Sequence, residues 1–193
     1  TMFKIGVLVS GGGSNLQSII DKSKSGELQC KVEVVIGDRE CYGVERAKEA
    51  GIDGYTLDRK VLKKELCREI DKIVSERGID LIVLAGFLSI IDEVFVNKWK
   101  GRIINIHPSL LPKFGGPGMY GIRVHEAVLK AGEQESGCTV HYVDTGVDSG
   151  EIIAQKRVKV LEGDTPEILQ KRVLVEEHKL LPESIAKIIS ERR

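Results

Sequence analysis

Short apolar runs alternate along the chain with stretches in which apolar positions recur every three to four residues. The runs at 3–9, 31–36, 81–85 and 102–107 are apolar at consecutive positions, as in strands buried on both faces. Helical spacing covers 15–24, 44–50, 61–77 and 92–98 between and beside them. This βαβ rhythm predicts an α/β fold built on a mostly parallel, twisted sheet, with helices on both faces and right-handed crossovers. Beyond Pro112 the rhythm changes to a glycine-rich loop at 113–121 (KFGGPGMYG), a helix at 122–131, strands at 138–143 and 151–159, and a last helix at 165–189. No low-complexity linker or composition break separates the two parts, so the prediction is a single domain over 1–193 with an antiparallel C-terminal extension.

Charge and cysteine content narrow the function classes. Lys plus Arg equals Asp plus Glu at 29 each, so no overall field recruits nucleic acid or an anionic membrane. The longest apolar runs, such as Leu81 to Ala85, fall far short of the roughly 20 residues of a membrane span. The N-terminal segment enters Phe3–Val9 without the basic, apolar and cleavage regions of a secretory signal, and the expected location is cytoplasmic. Cys30, Cys41, Cys67 and Cys138 show no C-x-x-C spacing, which predicts free thiols rather than a zinc site or disulfide framework.

Three stretches could carry chemistry. Ser10 to Asn15, SGGGSN, leaves the first strand and enters a helix, where close backbone approach and free amides suit an anion such as phosphate. It also reads as a tight turn with a Ser or Asn cap, and it is neither G-x-G-x-x-G nor a Walker loop. A side chain at Gly13 is expected to intrude on the ligand's place. Asn105 and His107, two apart near the end of the fourth predicted strand, share one face beside the crevice where parallel sheets bind ligands, and the same pair also reads as polar groups that satisfy loop backbone at a strand end. The third stretch, His141 to Ile153, holds Asp144 and Asp148 in a connection that is ordinary turn chemistry unless it folds back over the strand end. An aspartate there would raise the pKa of His107 and make it a usable acid. With no H-E-x-x-H cluster, no metal is expected, and His125 and His178 read as surface or packing residues.

The segments GVLVSGGGSNLQSII, LAGFLSII (84–91), NIHPSLLP (105–112), GCTVHYVDTGVDSGEII (137–153) and EGDT (162–165), in this order, closely resemble the phosphoribosylglycinamide formyltransferase family. The resemblance implies a Rossmann-like formyltransferase fold, with a phosphate-binding half at 1–100 and a catalytic and folate-binding half at 101–193. It implies formyl transfer from 10-formyltetrahydrofolate to the amine of N1-(5-phosphoribosyl)glycinamide (GAR), without a metal, by a monomer or homodimer. Catalytic roles would fall on Asn105, His107 and Asp148, and GAR contacts on Gly13, Ser14, Asn15 and Glu177. The folate would meet Leu88, Ser89, Ile90, Ile91, Asn105, the loop Asp144, Thr145, Gly146, Val147 and Asp148, and Lys63 at its tail. Ser89 stands where some members carry arginine, and the loop around 114–121 is longer than in others. A formyltetrahydrofolate hydrolase, a formyltransferase acting on methionyl-tRNA or a sugar nucleotide, and a catalytically silent binding module share parts of this pattern. The small-substrate phosphate loop and the absence of a further domain within 193 residues favour the GAR reading.

Overall fold

In the computed structural model, which describes residues 2–192, one seven-stranded sheet runs in the order β3-β2-β1-β4-β5-β6-β7. The strands are β1 (Phe3–Val9), β2 (Cys30–Gly37), β3 (Asp53–Thr56), β4 (Leu81–Leu84), β5 (Ile103–His107), β6 (Glu135–Tyr142) and β7 (Ile152–Lys159). The first five pair in parallel, and β6 and β7 are antiparallel. The helices are α1 (Ser14–Ser25), α2 (Tyr42–Glu49), α3 (Arg59–Leu62), α4 (Leu66–Glu76), α5 (Glu93–Lys98), α6 (Ile122–Lys130) and α7 (Pro166–Glu191). None of the described helices is long and apolar enough to cross a membrane.

Strand alternation divides the core between the two faces of the sheet. Ile5, Val7, Val9, Leu81, Val83, Ile104 and Ile106 face one cluster, where Leu16, Ile19 and Ile20 of α1 and Val173, Leu180 and Ile185 of α7 cover them. Leu8, Ile82, Leu84 and Ile103 face the other, covered by Leu66, Ile70 and Val74 of α4 and by Phe95 of α5. Ile103 fixes the phase of β5: Asn105 and His107, at the same alternation, emerge on the α4–α5 side at the C-terminal end of the sheet.

Two elements depart from the sequence pattern. β3 was not predicted, because Asp-Gly-Tyr-Thr has no apolar run; it is an edge strand set by backbone pairing with Val34 to Gly37. With β3 counted, the strand carrying Asn105 and His107 is the fifth, not the fourth. The helix expected over 61–77 is broken at Lys63, which has φ 49°, into α3, a 3₁₀ turn at Lys63–Glu65 and α4. α3 has no fully buried residue, with only Leu62 packed in part on the core and Val61 75% exposed, so little packing holds its axis in line with α4, whereas α4 buries Leu66, Cys67, Ile70 and Val74.

β1 and β4 are the neighbours from which the parallel order grows in opposite directions, so the loops after them border the crevice at this switch point. The loop after β1 leans on α2: Gly43 N–H donates to Gly11 O at 2.9 Å, and Arg46 Nε–H donates to Gly12 O at 2.6 Å. Gly13 has φ 74°, and a Cβ there would lie 2.6 Å from Gly43 Cα. The expectation that a side chain at Gly13 would intrude on a ligand is therefore corrected: it would strike the α2 backbone. Gly12 has no atom within 4 Å of an added Cβ. Gly13→Ala should cost about 2–4 kcal/mol, combining left-handed backbone strain with overpacking. Gly12→Ala should stay within about 0.5 kcal/mol of the parent in urea denaturation; equal losses would refute this packing account.

Candidate active site

β5 and β6 supply the centre of the site. Antiparallel register sets Asn105 opposite His141 and His107 opposite Thr139. Across the first pair, the Asn105 amide donates from Nδ2 to His141 Nε2 at 3.1 Å, and His141 Nδ1–H donates to Tyr142 O at 2.9 Å. These partners assign His141 as a neutral ring protonated on Nδ1. They also fix the plane of the Asn105 amide and leave its second N–H for another acceptor. Next to this pair the β6–β7 register shifts between Val140 and His141, a bulge of the kind that re-aims side chains beside a site.

His107 is 4% exposed, and both its ring nitrogens face acceptors. Nε2–H donates to Phe114 O at 2.9 Å, and Nδ1 lies 3.5 Å from Asp148 Oδ2. The connection 143–151 thus folds back over the strands, with Asp148 in the left-handed region at φ 54°. The Asp148 carboxylate also accepts Gly116 N–H at 3.1 Å and lies 3.8 Å from His141 Nε2. One carboxylate therefore stands between two imidazoles and ties the 113–118 loop to the 143–151 loop.

The pKa of His107 moves against the expectation. Burial pushes its pKa below the ordinary histidine value, the Asp148 charge and the Phe114 carbonyl oppose that, and His141 adds to it. The carboxylate acts in the expected direction, but removing the ring from water is the larger effect. His125, 1% exposed on α6, is a packing residue, and burial pushes it down to about 4, with a smaller contribution from His107.

The remaining predicted residues, Lys63 apart, lie on the elements that border the crevice. Gly13 occupies the N-cap of α1 and supplies no side-chain cap, so the first amides of the helix, at Ser14 and Asn15, are not capped by a side chain. Asn15 and Glu177, 162 residues apart, meet through Asn15 Nδ2–H donating to Glu177 Oε1 at 3.1 Å, and Asn15 Oδ1 is buried without a partner. Burial pushes the Glu177 carboxyl up to about 7 against the opposing Asn15 hydrogen bond. In the loop after β4, Leu88 and Ile90 are exposed, whereas Ile91 packs on the α4–α5 cluster. Leu88 N–H donates to Ser10 Oγ at 2.9 Å, and Ser89 Oγ–H donates to Asp38. Asp144 accepts Gly146 N–H and Ser149 Oγ–H, shaping a turn that leaves Thr145, Gly146 and Val147 exposed. Lys63 stands exposed at the break between α3 and the 3₁₀ turn, apart from the cluster just described, and nothing in that break's geometry ties its ammonium to the crevice.

Sequence reasoning assigned no role to His141, Arg46 or Asp38. The cross-strand pairing of His141 depends on antiparallel register, which spacing does not give. Arg46 and Asp38 follow β2 without a motif of their own. A signal for Asp38 was available in hindsight, since a carboxylate directly after a buried strand needs a partner.

The family described as formyl transferase matches residues 3–185. The chain is 42% identical over 195 residues to the chloroplastic phosphoribosylglycinamide formyltransferase of Arabidopsis thaliana, spanning 98% of this chain and 66% of that protein. It is 40% identical over 190 residues to the bovine trifunctional purine biosynthetic protein adenosine-3, of which it spans 18%. The crystal structure of glycinamide ribonucleotide transformylase 1 from Symbiobacterium toebii superposes with a TM-score of 0.93 at 41% identity, covering 99% of this chain and 89% of that one. The phosphoribosylglycinamide formyltransferase of Bacillus halodurans superposes with a TM-score of 0.91 at 36% identity, covering 98% and 97%. With the seven-stranded order and the Asn105, His107 and Asp148 cluster in place, these matches make the chain a member of the formyl transferase family, in its phosphoribosylglycinamide formyltransferase branch.

Proposed function

We propose that this chain transfers the formyl group of 10-formyltetrahydrofolate to the amine of GAR, giving formyl-GAR and tetrahydrofolate in purine synthesis. The observation that carries this reading is the Asn105, His107, Asp148 cluster standing at the crevice beside an anion-ready helix start. The uncapped amides of α1 suit the phosphate of GAR, and the buried Glu177 carboxyl beside Asn15 suits its ribose hydroxyls. The backbone of 88–91 and the loop 144–148 are assigned to the folate, with Lys63 toward its tail on the strength of the resemblance alone.

Amine attack on the formyl carbon forms the new C–N bond and moves an electron pair onto the formyl oxygen. The free N–H of Asn105 and Nε2–H of His107 are the donors for that oxyanion. To reach it, Nε2–H leaves Phe114 O. His107 protonated on both nitrogens gives its Nε2 proton to the departing nitrogen, with Asp148 compensating the cation, and the vacated Nε2 takes the proton that the newly bonded ammonium releases. The oxyanion then collapses and the C–N bond to tetrahydrofolate breaks. Because burial lowers the His107 pKa, the oxyanion itself helps recharge the ring once it forms.

A steady-state assay with GAR and 10-formyltetrahydrofolate, followed by the absorbance of the folate product, tests the reaction. Formate release without GAR would instead establish a hydrolase, and saturable binding without turnover a silent module.

Asn105→Ala and His107→Ala should each lower kcat by on the order of 10²-fold or more, with GAR affinity nearly unchanged. Unchanged kcat in both would remove them from the chemistry.

The His107 titration by NMR should fall below 6.5 in the parent and move lower still in Asp148→Asn, because the carboxylate is what offsets burial. The alkaline limb that this ring sets should lie at lower pH in kcat/KM than in kcat, since only the latter reports the substrate-bound protein. A His107 titration that stays put in the variant would return loop 143–151 to the status of a polar turn.

Glu177 gives the opposite pH signature. Its folded pKa of about 7 lies above the unfolded value of 4.5, so the folded state holds a proton that the unfolded chain releases, and stability falls as pH rises through that window. Relative to Glu177→Gln, the parent should lose on the order of 3 kcal/mol between the two values. The variant should also bind GAR more weakly. Parallel stability curves for the two proteins would contradict the burial of this carboxyl.

A further inference from the structure

The Asp38 carboxylate, at the end of β2, is 0% exposed. It receives Arg39 Nε–H at 3.0 Å, Arg39 Nη2–H at 3.2 Å and the hydroxyl of Ser89, and the Ser10 hydroxyl lies near enough to help lower its pKa. The two serines come from different loops. Ser10 opens the glycine loop that leads into α1, whereas Ser89 lies in the loop after β4. Ser10 also accepts Leu88 N–H at 2.9 Å, and its own N–H donates to Gly86 O at 3.1 Å. The Asp38 main chain adds two further ties, its N–H to Val9 O at 3.3 Å and its carbonyl to Arg59 N–H at 3.0 Å.

A carboxylate withdrawn from water is costly unless every lone pair is met, and losing one donor leaves an undercompensated charge. Burial alone would raise the Asp38 pKa, yet the hydrogen bonds from Arg39, Ser89 and Ser10 hold it below the ordinary carboxylate value. The ionised group therefore constrains both loops at once: moving the loop of Ser89 withdraws a donor from the buried charge, and moving the loop of Ser10 disturbs the hydroxyl beside it and the Asp38 N–H bond to Val9 O.

We infer that Asp38 is a positioning residue that holds the phosphate-binding loop and the folate-binding loop on one buried charge, so that both lose order when that charge is removed. The assignment of a substrate to each loop rests on the function proposed above; the mechanical link does not. Asp38 touches neither reacting centre. It acts through Ser10 on the entrance to α1 and on Leu88 N–H, and through Ser89 on the loop that carries Leu88 to Ile91.

The test has one arm independent of the reaction and one that reads it. In amide hydrogen exchange on the full chain, Asp38→Asn should speed exchange both in residues 10–15 and at Leu88, leaving β4 and β5 protected. Faster exchange in only one loop, or none, would overturn the link. In steady-state kinetics, Ser89→Ala should raise the KM for 10-formyltetrahydrofolate about tenfold while the KM for GAR stays within about twofold, the scale of one charge-assisted hydrogen bond. Asp38→Asn should raise both KM values with a smaller effect on kcat. The double variant decides whether Ser89 works through Asp38: adding Ser89→Ala to Asp38→Asn should raise the folate KM less than about twofold further. A second full tenfold loss would mean that Ser89 acts independently, and the proposal would fail. Should Asp38→Asn not fold, Ser10→Ala replaces it, because it cuts the Leu88 tie while keeping the Arg39–Asp38 pair; raised KM values for both substrates support the link and an unchanged folate KM refutes it. A parent protein that transfers no formyl group would overturn the reaction instead, with the exchange arm still standing.

Discussion

The reversal of strand direction between β5 and β6 is the constraint on which the site depends. Parallel strands bring only their C-terminal ends to a crevice, so a fourth functional side chain on a further parallel strand would have to come from another strand end. Antiparallel β6 passes alongside β5 and sets His141 directly across from Asn105. The same reversal makes β6–β7 a hairpin whose loop is free to return across the sheet face, and that return delivers Asp148 to His107. Without it the asparagine amide would lack the acceptor that fixes its plane, and the histidine would be buried without its carboxylate.

Burial then sets the chemistry more strongly than proximity does. His107, Glu177 and Asp38 are all withdrawn from water, yet the three respond differently. Asp38 collects enough donors to remain a carboxylate, Glu177 has one amide donor and is pushed toward the neutral acid, and on His107 burial and His141 outweigh one carboxylate and one carbonyl. The deciding quantity is the number of donors or opposite charges per buried group. Net charge along the sequence carries no information about it.

The parallel sheet, the helix-covered faces and the placement of Asn105 with His107 were legible because they rest on periodicity: apolar runs set the strands, and two-residue spacing sets a common face. The edge strand β3 was not, because Asp53 to Thr56 are held by the backbone of β2 and bury little of their own surface. The break at Lys63 escaped for a related reason: helical spacing continues through it, but before it only Leu62 packs, and only partly, on the core. Asp148 was recognisable as a candidate, and its arrival beside His107 required the loop to fold back, which composition does not specify. The sign of the His107 shift was misjudged because a pairwise argument saw the carboxylate and not the depth of the ring. His141 and Asp38 depend on partners 36 and 51 residues away, beyond any local pattern.

The Phe114 carbonyl on His107 Nε2 gives the site a built-in reference acceptor. A formyl oxygen that takes this proton exchanges one neutral carbonyl acceptor for another, a trade close to isoenergetic. An oxygen carrying a full negative charge makes a bond roughly twice as strong and wins clearly. In the proposed reaction the loop backbone therefore subtracts the ground-state part of the interaction and leaves the charge-dependent part, so that His107 would discriminate between a resting formamide and its tetrahedral adduct instead of holding both equally. On the proposed reaction, residues 113–116 would set a threshold: the histidine would change partner only for an oxygen more basic than an amide.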